Sequence, residues 1–213
     1  MYFGLKYQDL ASKSVIPIRS VKIDNMTHPD IKIVAFVGLP GSGKSEAVEY
    51  LTNKGYPKVY FGGVVLDAMA AAGIERTEEN EQPFREGLRQ TEGKDFIVNR
   101  IVQQINNLID AGQHRIVADG IYSWTEYKVM RHAFPGELTV IALTVPKHIR
   151  HHRLSIRPNR PLTADEATER DWSEIENIEK GGPIAIADFF IDNSGDRDEL
   201  HQKIDEVLEK IEF

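Results

Sequence analysis

The stretch that decides the fold is IKIVAFVGLPGSGKSEAVEYL, residues 31–51. Its first seven residues are nearly all apolar, which is typical of a buried strand in a parallel sheet. A helical pattern follows from residue 44 to 54. Between strand and helix, the pattern G-x-x-x-x-G-K-[ST] is matched completely by Gly38, Leu39, Pro40, Gly41, Ser42, Gly43, Lys44 and Ser45. A strand before this pattern and a helix after it are the context of a phosphate-binding loop.

The residue types of this loop suit a polyphosphate. Glycines let successive backbone N–H groups turn inward around a phosphate, and the start of the helix adds partial positive charge. We expect Lys44 to reach the terminal phosphate oxygens and Ser45 to hold Mg²⁺. Every residue of the motif except Leu39 is predicted to bind the nucleotide. The sequence lacks the Asn-Lys-x-Asp pattern that reads guanine, so the predicted ligands are ATP and Mg²⁺.

The rest of the chain alternates between apolar runs and helical stretches. Further strand-like runs lie near residues 58–62, 115–119, 138–145 and 187–193. Apolar strands separated by helices predict a parallel sheet covered on both faces, and right-handed crossovers make it a three-layer α/β/α domain. We assign this domain to residues 31–213. Residues 1–30 are predicted to form an N-terminal extension, in which the apolar spacing over 15–23 suggests at least one strand.

Composition narrows the class of protein. The 213 residues include 41% hydrophobic side chains, enough for one substantial core. A formal net charge of −7 argues against a surface built for nucleic acid or anionic membranes. The absence of cysteine excludes disulfides, thiolate metal sites and cysteine nucleophiles. With no signal-peptide pattern and no apolar run of membrane-spanning length, we expect a soluble, cytoplasmic protein.

The segment RIVADG, residues 115–120, ends an apolar strand with a carboxylate. Asp119 should therefore emerge at the carboxyl edge of the sheet, where open α/β folds bind their ligands. It is predicted to hold Mg²⁺, directly or through water, or to accept a proton from the acceptor. A turn aspartate before Gly120 is the alternative interpretation.

The segment KHIRHHRLSIRPNRP, residues 147–161, carries five Lys or Arg and no acid within an acidic protein. A helix would align Arg150, Arg153 and Arg157 on one face, and the prolines at 158 and 161 would end it. We predict a lid over about 147–172, in which Arg153 and Arg157 neutralise charge that develops on the phosphates. A solvated basic surface and a nucleic-acid patch are the alternatives. The histidines at 148, 151 and 152 have metal-ligand spacing, although surface positions explain them as well.

These motifs resemble the P-loop kinases of the adenylate kinase and dephospho-CoA kinase type, especially an uncharacterised, mainly archaeal branch of adenylate-kinase-like proteins. The similarity covers about residues 31–213, through GLPGSGKS, KVYFGG, LRQTEGKD, VADGI, the arginine segment and ADFFIDNSGDRDEL. It implies a five-stranded sheet in the order 2-3-1-4-5. It also implies a lid over ATP and an acceptor pocket built from about residues 62–100.

Two departures from that resemblance concern the acceptor. Where relatives carry Gly-Asp and then an arginine after the second strand, this chain has Gly62, Gly63 and Leu66. Where relatives often carry an arginine after Asp-Gly, it has residues 121–123, Ile-Tyr-Ser. Other residues are predicted to replace these missing acceptor-binding groups. These candidates are Arg85 and Arg89 for positive charge, Tyr122 and Trp124 for stacking, and Asp67 for the carboxylate. The alternatives are a solvated helix face for the arginines, packing for the aromatic rings and a first-turn helix position for Asp67.

The sequence thus predicts a kinase that transfers the γ-phosphate of ATP to a small, nucleotide-type acceptor. Lys44, Asp119, Arg153 and Arg157 are its predicted catalytic residues. Two other functions stay open at this point. One is a nucleotide-dependent regulatory switch or ATPase that acts through a protein partner. The other is a kinase of nucleic-acid ends, which the acidic balance of the chain disfavours.

Overall fold

The computed structural model describes residues 30–213 except Lys94. Within one helix, the side chains of residues 78, 79, 81, 82, 86 and 89 also lie outside the description. The predicted N-terminal extension over residues 1–30 therefore lies almost entirely outside the described residues, and its boundary stays a prediction.

The described residues form a five-stranded parallel sheet in the order β2-β3-β1-β4-β5. The strands are β1 (Lys32–Val37), β2 (Lys58–Tyr60), β3 (Arg115–Asp119), β4 (Leu138–Thr144) and β5 (Phe189–Asp192). This arrangement confirms the predicted fold and strand order. The chain reverses its direction of strand addition beside β1, which brings the ends of β1 and β3 together at the carboxyl edge.

Helices connect the strands. They are α1 (Lys44–Asn53), α2 (Phe61–Ala71), α3 (Glu78–Glu92), α4 (Phe96–Asp110), α5 (Trp124–Ala133), α6 (Lys147–Ile156), α7 (Ala164–Glu176), α8 (Gly181–Ala185) and α9 (Arg197–Lys210). Among the described residues, no helix is both long enough and apolar enough to cross a membrane.

Helices cover both faces of the sheet, as the apolar strands predict. Side chains alternate along β1, so Val34 and Phe36 enter one core with α1 and α9. Ile33 and Ala35 enter the other core, with α2, α4 and α5. All four side chains are fully buried. This double burial explains why the strands lack the polar alternation of a one-sided sheet.

The second strand is shorter than its apolar sequence suggests. The run KVYFG was predicted to be strand, but β2 ends at Tyr60 and α2 begins at Phe61. As an edge strand, β2 pairs only with β3, and that pairing ends with Tyr60 opposite Asp119. Phe61 turns into the core, and the Tyr60 ring lies close against Gly62.

The helices differ in whether a side chain caps the first N–H groups. The helices α5 and α7 begin with capping boxes, Ser123 with Glu126 and Thr163 with Glu166. By contrast, α1 begins after Gly43, which makes no side-chain cap. The first N–H groups of α1 are thus left for an external acceptor.

Candidate active site

The loop between β1 and α1 holds its shape through close backbone approaches. Gly41 has φ +80°, and a Cβ atom there would lie 2.6 Å from the main-chain oxygen of Arg150. Gly43 has φ +97°, and a Cβ atom there would lie 2.2 Å from the Asn193 side-chain nitrogen. Both positions require glycine for conformation and for space. The loop is therefore a cradle packed tightly against Arg150 and Asn193.

A substitution at Gly41, compared with one at an open glycine of similar φ, should distinguish the requirement for space from the requirement for backbone conformation. We expect Gly41→Ala to weaken nucleotide binding at least about tenfold and to destabilise the fold by about 2 kcal/mol or more, because the methyl group meets main-chain atoms of α6. Gly112→Ala is the matched control, since Gly112 has a similar φ of +83° but nothing within 4 Å of the added atom. Calorimetry with ADP and thermal unfolding provide the measurements. Equal effects of the two substitutions would contradict the packing argument.

Two buried side chains clamp the loop from distant parts of the chain. Arg150 Nη1 donates a hydrogen bond to the Pro40 oxygen at 2.9 Å. Asn193 Nδ2 donates to the Ser42 oxygen at 2.8 Å. These contacts fix the carbonyls of Pro40 and Ser42, while the Ser42 amide donates to the Leu39 oxygen at 3.1 Å. The role of Asn193 was not predicted, although its place directly after β5 was a usable signal.

The Lys44 ammonium already lies in the loop. Its Nζ donates to the Gly38 oxygen at 2.7 Å and to the Leu39 oxygen at 3.2 Å. Burial, followed by the charge of Lys180, lowers the pKa of Lys44 to about 7. The hydrogen bonds given above for this ammonium go to loop carbonyls. A bound phosphate would raise the pKa of Lys44 again and so favour its charged form. Beside it, the hydroxyl of the fully buried Ser42 has no hydrogen-bond partner among the described residues.

Asp119 ends β3 directly opposite Phe36 of β1. It therefore lies at the carboxyl edge two residues from the start of the loop, as predicted. Burial raises the pKa of its carboxyl group, against the opposing charges of Lys58 and Lys44. Ser45, at the exposed start of α1, belongs to the same edge of the sheet. A hydroxyl and a carboxylate in this position fit Mg²⁺, which takes one or two protein oxygens along with phosphate oxygens and water.

The predicted lid arginines separate into two groups. Arg153 and Arg157 line a cavity of about 260 Å³ together with the loop residues Gly41, Gly43, Lys44 and Ser45. Arg150 is instead buried, with a bidentate bond to Asp171 at 2.7 and 2.8 Å. The arginine closest to the loop thus joins α6 to α7, and the two beyond it face the cavity.

The helical placement of Arg157 was wrong. The helix α6 ends at Ile156, and Arg157 is extended, with φ −64° and ψ 144°. The cause is Pro158, which disfavours helical backbone in the residue before it. Arg153 donates to the Gly195 oxygen at 3.2 Å, and Arg157 donates to the Arg160 oxygen at 2.6 Å. In these contacts, each guanidinium group donates to a main-chain oxygen and not to a carboxylate.

The histidine spacing has a structural explanation for one member. His151 Nε2 lies 3.0 Å from Asp171, so this ring supports the ion pair of Arg150. His148 and His152 are exposed. In the described part of the chain, no three His, Cys, Asp or Glu side chains converge on a common metal position.

The predicted acceptor residues are spread over two places. Tyr122 lies beside Asp119, where its ring packs against Gly120. Burial and the nearby Asp119 carboxylate raise the pKa of the Tyr122 hydroxyl, so it stays a neutral donor. Arg85 lies half-buried on α3, and the side chain of Arg89 is outside the described residues. Their role in acceptor binding stays a prediction.

The other two acceptor candidates have defined surroundings. Trp124 stacks on Tyr127, with ring centroids 5.3 Å apart. Gly182 lies so close to the Trp124 ring that a Cβ atom there would be 2.7 Å away. Both contacts favour a packing role for Trp124. Asp67 is exposed in the middle of α2 rather than in its first turn, so a helix-start effect does not explain it.

One pair in this region was missed from sequence. Lys180 is buried and forms an ion pair with Glu174. Its Nζ lies 4.9 Å from the centre of the Tyr122 ring. A lysine between a helix end and two glycines carries no recognisable pattern, so only the tertiary structure brings it beside Tyr122.

Fold and site together define a P-loop protein with the architecture of small-molecule kinases. The chain matches the AAA domain family over residues 34–190. It is 35% identical to the UPF0200 protein of Thermococcus onnurineus over 182 residues, which is 84% of this chain and 97% of that protein. A UPF0200/UPF0201 protein of Archaeoglobus fulgidus is 34% identical, over 85% of this chain and 56% of that protein. The chain therefore belongs to the UPF0200 family.

Solved structures share the fold at low sequence identity. Shikimate kinase from Acinetobacter baumannii, in complex with shikimate, matches with a TM-score of 0.57 and 17% identity, over 84% of this chain and 94% of that chain. Dephospho-CoA kinase from Campylobacter jejuni matches with a TM-score of 0.51 and 18% identity, over 85% of this chain and 98% of that chain. These similarities confirm the predicted kinase-type fold and the predicted resemblance.

Proposed function

We propose that this protein is an ATP-dependent phosphotransferase that moves the γ-phosphoryl group of ATP onto a hydroxyl or phosphate oxygen of a small, nucleotide-type acceptor. The observation that carries the proposal is the meeting of three chemically distinct groups at one sheet edge. These are the Lys44 ammonium in its cradle, the Asp119 carboxylate, and the Arg153 and Arg157 guanidinium groups around the cavity.

The proposed roles follow from charge and position. Gly38, Pro40, Gly41, Ser42 and Gly43 form the loop around the phosphates, to which the N–H groups of the glycines donate, while Lys44 and Arg153 neutralise the phosphate charge. Ser45 and Asp119 hold Mg²⁺, which supplies further charge neutralisation when bound. We assign Tyr122, Arg85 and Arg89 to the acceptor.

The proposed transfer forms one bond and breaks another. The acceptor oxygen attacks the γ-phosphorus, and the bond from that phosphorus to the bridging oxygen of ADP breaks. A proton released from a hydroxyl acceptor passes to Asp119 or to water. Arg153 and Arg157 stabilise the negative charge on the transferred group. Exclusion of water by a lid over about 147–172 would favour the acceptor over hydrolysis.

The proposal also covers the domain organisation, the cellular location and the kind of substrate. We propose that residues 31–213 carry the catalytic domain and that residues 1–30 are an extension to it. We also propose a cytoplasmic enzyme that acts on a small molecule rather than on nucleic acid. The basic segment is weaker as a nucleic-acid patch than its composition suggests, since Arg150 is buried against Asp171.

An acceptor panel tests this function. The full chain is mixed with MgATP and, separately, with nucleosides, nucleoside monophosphates and dephospho-CoA, and ADP and phosphorylated product are followed by mass spectrometry. We expect one acceptor class to increase ADP formation about 100-fold or more over hydrolysis in water. Lys44→Met is the control for contaminating kinases. ADP formation that no acceptor changes would count against the proposal.

A regulatory switch is the second candidate. It is favoured by Gly62, Gly63 and Leu66, and by Ile121 through Ser123, where relatives carry acceptor-binding charges. In this case binding of a protein partner should differ between the ATP-bound and ADP-bound forms, with no acceptor phosphorylated. Pull-downs with each nucleotide, on the full chain and on a chain lacking residues 1–30, distinguish the two functions.

A further inference from the structure

A buried ammonium outside the P-loop motif needs a physical cause. The Lys180 side chain is only 2% exposed, and burying a lysine costs several kcal/mol unless the charge is compensated. Glu174 compensates it through an ion pair. Because such a pair is often no more stabilising than two apolar side chains, stability alone gives weak grounds for its presence.

The location of Lys180 relates it to the candidate site. Its Nζ lies 4.9 Å from the centre of the Tyr122 ring, and that ring packs against Gly120, the residue after Asp119. Asp119 in turn lies opposite Phe36 near the end of β1. The two residues that follow β1, Gly38 and Leu39, accept the hydrogen bonds of Lys44. A continuous set of contacts therefore leads from the Lys180 ammonium to the phosphate-binding loop.

The side on which Lys180 lies is also informative. Arg153 and Arg157 border the loop from the side of α6. Lys180 approaches through Tyr122, on the side that packs against α5 and α8. On that side, residues 121–123 carry no positive charge. Lys180 thus adds a cation where the sequence after β3 lacks one.

We infer that Lys180, held by Glu174, is a further cation of the phosphoryl-transfer site and acts on the terminal phosphate from the acceptor side. The inference rests on the proposed function. The geometry that supports it is the position of the Lys180 ammonium against the ring of Tyr122, three residues after Asp119.

The inference predicts which nucleotide depends on Lys180 for its binding affinity. A terminal phosphate approaches the acceptor side, whereas the phosphates of ADP lie within the loop. Neutralising Lys180 should therefore weaken MgATPγS binding about tenfold, change MgADP binding less than about threefold, and lower the turnover number more than the KM. A purely structural role would change both affinities together through the fraction of folded protein.

The test uses calorimetry on the full chain with MgATPγS and MgADP. The single variant Lys180→Met leaves Glu174 without its partner, so the double variant Lys180→Met/Glu174→Gln is made beside it to remove both charges. Circular dichroism and thermal unfolding establish which variants fold. Lys128→Met is the matched control, because Lys128 is an exposed lysine of α5 near the Trp124 ring, and its affinities should equal those of the wild type.

The outcomes are distinct. A folded charge-neutral variant whose MgATPγS affinity falls about tenfold while its MgADP affinity changes less than about threefold supports the inference. A folded variant in which both affinities are unchanged or fall together overturns it, as does failure of both neutralised variants to fold, which would mark the pair as structural. If the wild-type chain binds neither nucleotide, the proposed function fails and the inference fails with it.

Discussion

Replacement of Lys44 by methionine should abolish productive triphosphate binding while leaving the fold intact. We expect phosphotransfer to fall by at least about 100-fold, since one charged donor aimed at a transferred group contributes on that scale. The free energy of unfolding should change by no more than about 1 kcal/mol. The reason is that the Nζ hydrogen bonds go only to two carbonyls of the same loop, and methionine fills the buried space. Calorimetry with MgATPγS and thermal unfolding provide the measurements.

A lysine at the other end of the same helix is the control. Lys54 follows the last residue of α1 and forms an exposed ion pair with Asp205. Lys54→Met should cost at most about 1 kcal/mol in stability and leave nucleotide affinity unchanged. Near-normal turnover in Lys44→Met would contradict the assignment of the cradle. Equal loss in both variants would show that the assay reports folding rather than binding.

Replacement of Asp119 by asparagine should remove the Mg²⁺ dependence of nucleotide binding. In the wild type we expect Mg²⁺ to strengthen ATPγS binding, because the carboxylate holds the ion against the phosphates. Asp119→Asn should bind ATPγS with equal affinity with and without Mg²⁺, and its turnover should fall about 100-fold or more. Titrations in magnesium and in EDTA measure the first effect. Asp110→Asn, at the exposed end of α4, is the control and should behave as the wild type.

The pH dependence of the same measurement has a defined sign. Burial raises the pKa of Asp119, so its carboxylate takes up a proton at a higher pH than an ordinary aspartate does. The Mg²⁺ effect should therefore be complete at neutral pH and decline as the pH falls toward the raised pKa. In Asp119→Asn it should be absent at every pH. A Mg²⁺ effect that survives in the variant would assign the metal to other residues.

Much of the fold could be predicted because its signals are local. The strands β1, β3 and β4 are apolar runs buried on two faces, and the motif from Gly38 to Ser45 is recognised from eight consecutive residues. Where tertiary context prevails over local pattern, the prediction was less accurate. The run from Lys58 was expected to continue as strand through Gly62, but the single neighbouring strand ends its pairing at Tyr60.

The sequence by itself determined the sheet, its strand order through the resemblance, the phosphate loop and the carboxylate at Asp119, since each depends on consecutive residues. Only the tertiary structure decided which basic residues face the cavity. Arg150 bonds Pro40 across 110 positions of the chain, and Asn193 bonds Ser42 across 151. The partner of a charged side chain is set by packing between distant helices, and that packing buries Arg150 against Asp171 and brings Lys180 beside Tyr122.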